Sequence, residues 1–216
     1  MGIQKLFAAG GVVMFPLLVF SVVSIALIAE RIWFWLKISR RQKSVIRDVL
    51  KLYRHNNVVG ALDKLQQNLD LPIARIFLSA LSLEKPTPEQ FRLALEGEAQ
   101  AEIPIFKRFN TIFETIIALS PLLGLLGTVL GLIASFASLN IGDVGGTKTA
   151  GVTAGISEAL VSTASGLVVA IFTLLFANTF RGLYSTEIGH IQEYASQLEL
   201  LYSCRYEGDN SYAITR

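Results

Sequence analysis

A chain of 216 residues that is 52% apolar and only 17% charged, with a mean hydropathy of +0.50, is too apolar for an ordinary water-soluble domain. The balance of 19 Lys plus Arg against 17 Asp plus Glu leaves a net charge of +2, which excludes a broad basic field for nucleic acid or another polyanion. A single cysteine, Cys204, and two histidines exclude an internal disulfide framework and argue against a metal site. With no nucleophile and base pair in view, neither an enzyme nor a cofactor is expected.

Residues 6–29 carry no charge. As a helix they extend about 36 Å at 1.5 Å each, enough to cross a hydrocarbon layer about 30 Å thick. Only Lys5 precedes them, and the basic, aromatic run Glu30-Arg-Ile-Trp-Phe-Trp-Leu-Lys follows, so the stretch reads as an uncleaved anchor rather than a leader. Leu6 stands where a myristoylation motif needs Ser or Thr, so lipidation is discarded. Trp33 and Trp35 suit the inner membrane interface.

Residues 39–83 alternate charged and apolar positions at helical spacing, which predicts short helices in water. At Thr87-Pro88-Glu89-Gln90 a capping Thr, a first-turn Pro and a capping-box Gln open a long helix. Its one internal interruption is Pro104, expected to kink it just before residues 115–142, the second uncharged stretch. Glu98, Glu102 and Glu114 along it read as solvated acids. The connection that follows, at 143–157, is expected to be a flexible hairpin. It is not a phosphate-binding loop, because Thr147 rather than Gly precedes Lys148. The third uncharged stretch is 159–180, and beyond it Tyr184, Ile188, Ile191, Ala195, Leu198 and Leu201 keep a helical period into water. The tail from Arg205 is polar and expected to fray, while His55 and Cys204 read as surface or packing residues.

Arg31, Lys37, Arg40, Arg41, Lys43, Arg47, Lys107, Arg108 and Arg181 all flank the same ends of the three stretches, against Lys5 and Lys148 at the other ends. By the positive-inside rule, the N-terminus and the hairpin lie outside and the C-terminus lies in the cytoplasm. The fold expected is an all-α membrane protein. Its parts are residues 1–29 with the first span, a cytoplasmic helical region 30–114, spans at 115–142 and 158–180 joined by the hairpin 143–157, and a cytoplasmic helix and tail at 181–216.

Small residues recur every three or four positions on the second span, at Gly124, Thr128, Gly131, Ser135 and Ser138, and on the third, at Ala159, Thr163, Gly166, Ala170, Thr173 and Ala177. Such stripes let helices approach closely in lipid. Packing within one chain explains part of the pattern. Because both stripes carry hydroxyls near mid-membrane, copies assembled around a common axis fit better. Thr128 and Thr163 would then line a polar path, and Glu158, at the head of a stripe, would face a wet interior.

Two motifs carry a resemblance: Ser120-Pro-Leu-Leu-Gly-Leu-Leu-Gly-Thr-Val-Leu-Gly-Leu-Ile-Ala-Ser-Phe and Gly155-Ile-Ser-Glu-Ala-Leu-Val-Ser-Thr-Ala-Ser-Gly-Leu-Val-Val-Ala-Ile. On them the chain resembles the MotA/TolQ/ExbB family of proton-channel proteins, in its three-span ExbB and TolQ branch. The resemblance implies a pentamer in the bacterial inner membrane. Its central pore would hold a single-span partner similar to ExbD or TolR, and proton-motive force would be passed to a protein such as TonB or TolA. It also implies that Thr128 and Thr163 line the pore and that Glu158 sits near its periplasmic mouth. The spans themselves offer hydroxyls but no mid-membrane titratable group. The proton-accepting acid is therefore expected from the partner, whose single span carries an Asp by the same resemblance. Two other readings are the stator of a surface-motility motor and a non-conducting scaffold or permease subunit.

Overall fold

The computed structural model describes residues 10–137 and 147–214, with side chains for 10–137 and 151–208. Among the described residues every regular element is an α-helix: α1 (Met14–Arg54), α2 (Val58–Gln66), α3 (Pro72–Leu81), α4 (Pro88–Phe106), α5 (Asn110–Ala137) and α6 (Thr147–Ile214). Three helical stretches, in α1, in the α4 to α5 run and in α6, are long and apolar enough to cross a membrane. The chain divides into two compact units, Met1–Arg31 with Phe109–Phe180, and Ile32–Arg108 with Arg181–Arg216.

In the first unit α5 and α6 run antiparallel and touch through backbone. A Cβ added at Gly124 would stand 3.0 Å from the Thr163 Cα, and one at Gly131 would stand 2.6 Å from the Gly155 carbonyl oxygen. The α1 segment lies parallel to α6. Near its start Gly10 meets Val161, and further along Ser24 and Thr173 share a buried 2.8 Å hydrogen bond. Val13, Met14 and Leu17 form a small core with Leu123 of α5 against them, and Phe113 and Phe180 pack at 6.0 Å near the other end. Facing away from this core, Phe15, Leu122, Phe136, Leu160, Val168 and Leu175 are exposed. An apolar surface of that extent needs lipid or another chain.

Arg31 is almost wholly buried. It bonds Glu30 at 2.8 Å and lies 5.4 Å from the Phe109 ring, so its charge is offset by a carboxylate and an aromatic face.

The second unit has a conventional apolar core of Val49, Leu65, Ile76, Phe77, Phe91 and Leu198, with α3 packed on α2 and α4. Helix starts are set by local chemistry. The Asn57 side chain accepts from Gly60 N at 2.9 Å, and Pro72 opens α3. At α4 the capping box forms as the sequence predicts: Gln90 N donates to Thr87 Oγ1 at 3.2 Å, and Thr87 N donates to Gln90 Oε1 at 2.9 Å.

Several expectations are corrected. The α1 helix begins at Met14, after a turn at Gly11 with φ of +66°; the part of the expected span before residue 10 lies outside the described residues. From there α1 continues unbroken to Arg54, where separate short helices were expected from residue 39. Its apolar face supplies buried positions Ile38, Val45, Ile46, Val49, Leu50 and Tyr53, so no stop occurs before His55 to Asn57. Pro104 lies within α4, and the helix expected to run on into the second span does not do so unbroken. The break falls after Phe106, at Lys107 to Phe109, where Phe109 takes φ of +68°. Phe106 is anchored by Trp35 at 6.0 Å and Tyr184 at 6.5 Å, which holds α4 together past the proline.

Glu102, read as a solvated acid, is buried and paired with Arg75. Trp35 is likewise buried, while Trp33 is exposed. Helix α6 already begins at Thr147, within the segment 143–157 read as a hairpin, and Ser138 lies outside the described residues. The tail remains helical to Ile214 because its first turns are held. Tyr202 stacks on Phe91 at 4.1 Å and bonds the Pro86 carbonyl at 2.5 Å, and Arg205 lies over Tyr53.

Candidate functional site

The residues singled out by the sequence converge on the α5–α6 seam of the first unit. Gly124, Gly131 and Ser135 of α5 and Ala159 and Gly166 of α6 are buried there; Ala170, Thr173 and Ala177 are buried further along α6, Thr173 against Ser24 of α1. Both stripes therefore face each other inside one chain. The close approach that the sequence leaves divided between packing within one chain and contact between copies is made here between two helices of a single copy, where glycine leaves room for the opposing backbone. Gly127, Ser162 and Gly155 belong to the same seam, and the sequence reading missed them. Gly127 stands three residues from Gly124 and four from Gly131, Gly155 stands four from Ala159, and Ser162 stands next to Thr163.

Thr163 is half-buried and donates its hydroxyl to the Gly124 carbonyl oxygen at 3.0 Å. Thr128, also half-buried, donates back to the Leu125 carbonyl of its own helix at 2.5 Å. Each hydroxyl bonds a backbone carbonyl rather than the other hydroxyl, and each retains acceptor capacity. Ser135 bonds the Gly131 carbonyl at 3.0 Å and Ser162 that of Ala159 at 2.9 Å.

Glu158 is not on the face of Thr163. Five residues separate it from Thr163, which turns it about 140° around α6. Its half-buried carboxylate lies against Gly11, in the turn preceding α1: a Cβ at Gly11 would overlap the Glu158 carboxyl oxygen and stand 2.6 Å from its carboxyl carbon. Glu114 is exposed.

The second unit carries ion pairs rather than a reactive constellation. Arg75 clamps Glu102 through two hydrogen bonds of 2.5 and 2.6 Å, and the bond from Glu102 raises the guanidinium further above its ordinary value. Lys37 and Arg41 both reach Asp70, at 3.0 and 2.5 Å. Burial pushes the Tyr202 phenol up. The buried Gln42 amide donates to Glu187. His55 is exposed with its Nδ1 on the Lys51 carbonyl, and Cys204 is exposed. Among the described residues no group of three His, Cys, Asp or Glu side chains could hold a metal ion.

Long apolar helices sealed by a glycine and alanine seam define an integral membrane protein of the helical-bundle class. Residues 68–193 match the MotA/TolQ/ExbB proton channel family. The chain is 60% identical to the biopolymer transport protein ExbB-like 3 of Synechocystis sp. over 90% of its own length and 92% of that protein's. It is 44% identical to ExbB-like 1 of the same organism, over 91% of this chain and 77% of the relative. Against the biopolymer transport protein ExbB of Salmonella typhimurium it is 41% identical, over 53% of this chain and 46% of that one. The chain belongs to the MotA/TolQ/ExbB proton channel family, in its ExbB-like group. That is a family of transport and channel subunits, not a class of enzymes.

Proposed function

We propose that the chain is the multi-span subunit of a proton-driven motor in the bacterial inner membrane. Its N-terminus is periplasmic and its C-terminus cytoplasmic, with the first span within residues 1–29, the others at 115–142 and 158–180, the connection between those two outside and residues 30–114 and 181–216 inside. Five copies form a ring around a single-span partner similar to ExbD or TolR, and the assembly energises a protein similar to TonB or TolA for transport at the outer membrane.

The observation that supports this reading is the pair of half-buried hydroxyls of Thr128 and Thr163, in spans that carry no titratable side chain near mid-membrane. Hydroxyls can solvate a proton-carrying group but cannot hold the proton. An acid on a partner helix would be solvated by Thr128 and Thr163 in one state and released in another, and each proton moved through 100 mV supplies about 2.3 kcal/mol to drive the change. Glu158 stands nearer the periplasmic end as an entry group.

The test is proton flux and coupled uptake in vesicles holding the chain with its partner. Thr128→Val and Thr163→Val are expected to abolish both while the complex still assembles. Uptake that persists in both variants removes the hydroxyls from the path. Because the seam is closed within one chain, a non-conducting scaffold is the competing reading, and a wild-type complex without proton flux would select it.

A further inference from the structure

We infer that Gly11 is a positioning residue for Glu158, its bare backbone being the seat on which the Glu158 carboxylate rests. Three observations meet there. Gly11 holds φ of +66°, a conformation L side chains rarely adopt. The space where its Cβ would stand is filled by the Glu158 side chain, with Cδ at 2.6 Å and Cγ at 3.2 Å. Beside it, Gly10 leaves no such room either: a Cβ there would meet the Met14 Cγ at 2.5 Å and Val161 Cγ1 at 3.3 Å. Val161 is one turn along α6 from Glu158, so the turn at Gly10 and Gly11 lies along a single face of α6.

The seat lies just before Met14, at the amino-terminal end of α1, where the helix dipole favours a negative charge. The first span thereby fixes the carboxylate on the side of α6 away from Thr163. The consequence for the motor rests on the function proposed above: Glu158 is presented to protons by the turn before α1, and a displaced turn leaves it in the wrong place.

Two measurements test the seat without reference to activity. The first is a double-mutant cycle on thermal unfolding of the full chain in detergent. Gly11→Ala strains the left-handed turn in any background but displaces the carboxylate only when Glu158 is present. Its melting-temperature loss is therefore expected to be roughly twice as large in the wild type as in Glu158→Ala. Equal losses in the two backgrounds overturn the proposal and leave Gly11 a turn glycine only. The second measurement serves if Gly11→Ala does not fold. Gly11→Cys with Glu158→Cys, in a Cys204→Ser background, is expected to close an intrachain disulfide in membranes under mild oxidation, and failure to cross-link overturns the seat.

In the uptake assay, Gly11→Ala is expected to lose activity and to recover at least part of it when combined with Glu158→Asp, whose shorter side chain makes room for the added methyl. No recovery, with the cycle and the cross-link as expected, would overturn the motor role of Glu158 and leave its seat standing.

Discussion

The hydroxyl of Thr163 on α6 bonds the Gly124 carbonyl on α5 at 3.0 Å, so a functional candidate on one helix is fixed by the backbone of another. The geometry separates two effects of mutation. Thr163→Val keeps the shape of the side chain and deletes one interhelical bond, a class of interaction that averages about 0.6 kcal/mol in membrane proteins. Thr163→Ser keeps the bond. Both variants are expected to purify as folded protein with little change in melting temperature, and only the valine variant is expected to lose proton-coupled uptake. A large loss of stability in Thr163→Val would reassign the residue to packing.

The seam sets a sharper steric limit. A Cβ at Gly131 would stand 2.6 Å from the Gly155 oxygen, 2.9 Å from the Ala159 nitrogen and 3.1 Å from the Ala159 Cβ. Two of those neighbours are backbone and cannot rotate aside. Gly131→Ala is expected to destabilise the protein by about 1–3 kcal/mol. Gly182→Ala, where nothing lies within 4 Å, is expected to be neutral or to stabilise by up to about 1 kcal/mol, because helix interiors favour alanine. Thermal unfolding of the two variants in the same detergent checks the contrast.

In the second unit the Glu102 carboxylate is buried and depends on Arg75, which is 30% exposed. Arg75→Met strands a charge in the core. The expected loss is about 2 kcal/mol, below the usual figure for a buried pair because solvent reaches the arginine. Arg75→Met with Glu102→Leu is expected to recover most of it, since neither charge then needs a partner. Denaturant unfolding followed by the fluorescence of the buried Trp35 is the measurement, in a Trp33→Phe background so that one indole reports.

Asp70 gives a prediction in pH. Partial burial works to raise its carboxyl, but hydrogen bonds from Lys37 and Arg41 outweigh that and hold it below the usual value. A carboxyl whose folded-state pKa is depressed adds stability above its unfolded value and loses it as pH falls through the folded one. The melting temperature of the wild type is therefore expected to fall as the pH drops below about 4. Asp70→Asn is expected to melt lower at neutral pH and to show a flatter slope in that acid range. Melting curves from about pH 7 to about pH 3 decide it, and parallel slopes would show that Asp70 contributes nothing to the acid transition.

The three apolar stretches, the capping box at Thr87 and Gln90 and the small residues on α5 and α6 were legible in the sequence because each is a local property: hydropathy, a cap signature, a period of three or four. Partnership is not local. Nothing in the order of residues says that the stripe of Gly124 and Gly131 meets the stripe of Ala159 and Gly166 within the same chain, that Glu102 is buried against Arg75, or that Phe106 carries α4 past Pro104. The separation of Glu158 from Thr163 could have been suspected from five residues of helical rotation. What faces Glu158 could not, because Gly11 lies far away in sequence and its part depends on an absent side chain. Hydrophobic pattern and spacing determined which segments become helices and which of their faces are slender. Tertiary packing decided which faces meet, since close approach in lipid depends on shape matching between two surfaces and neither strand of sequence contains the other's shape.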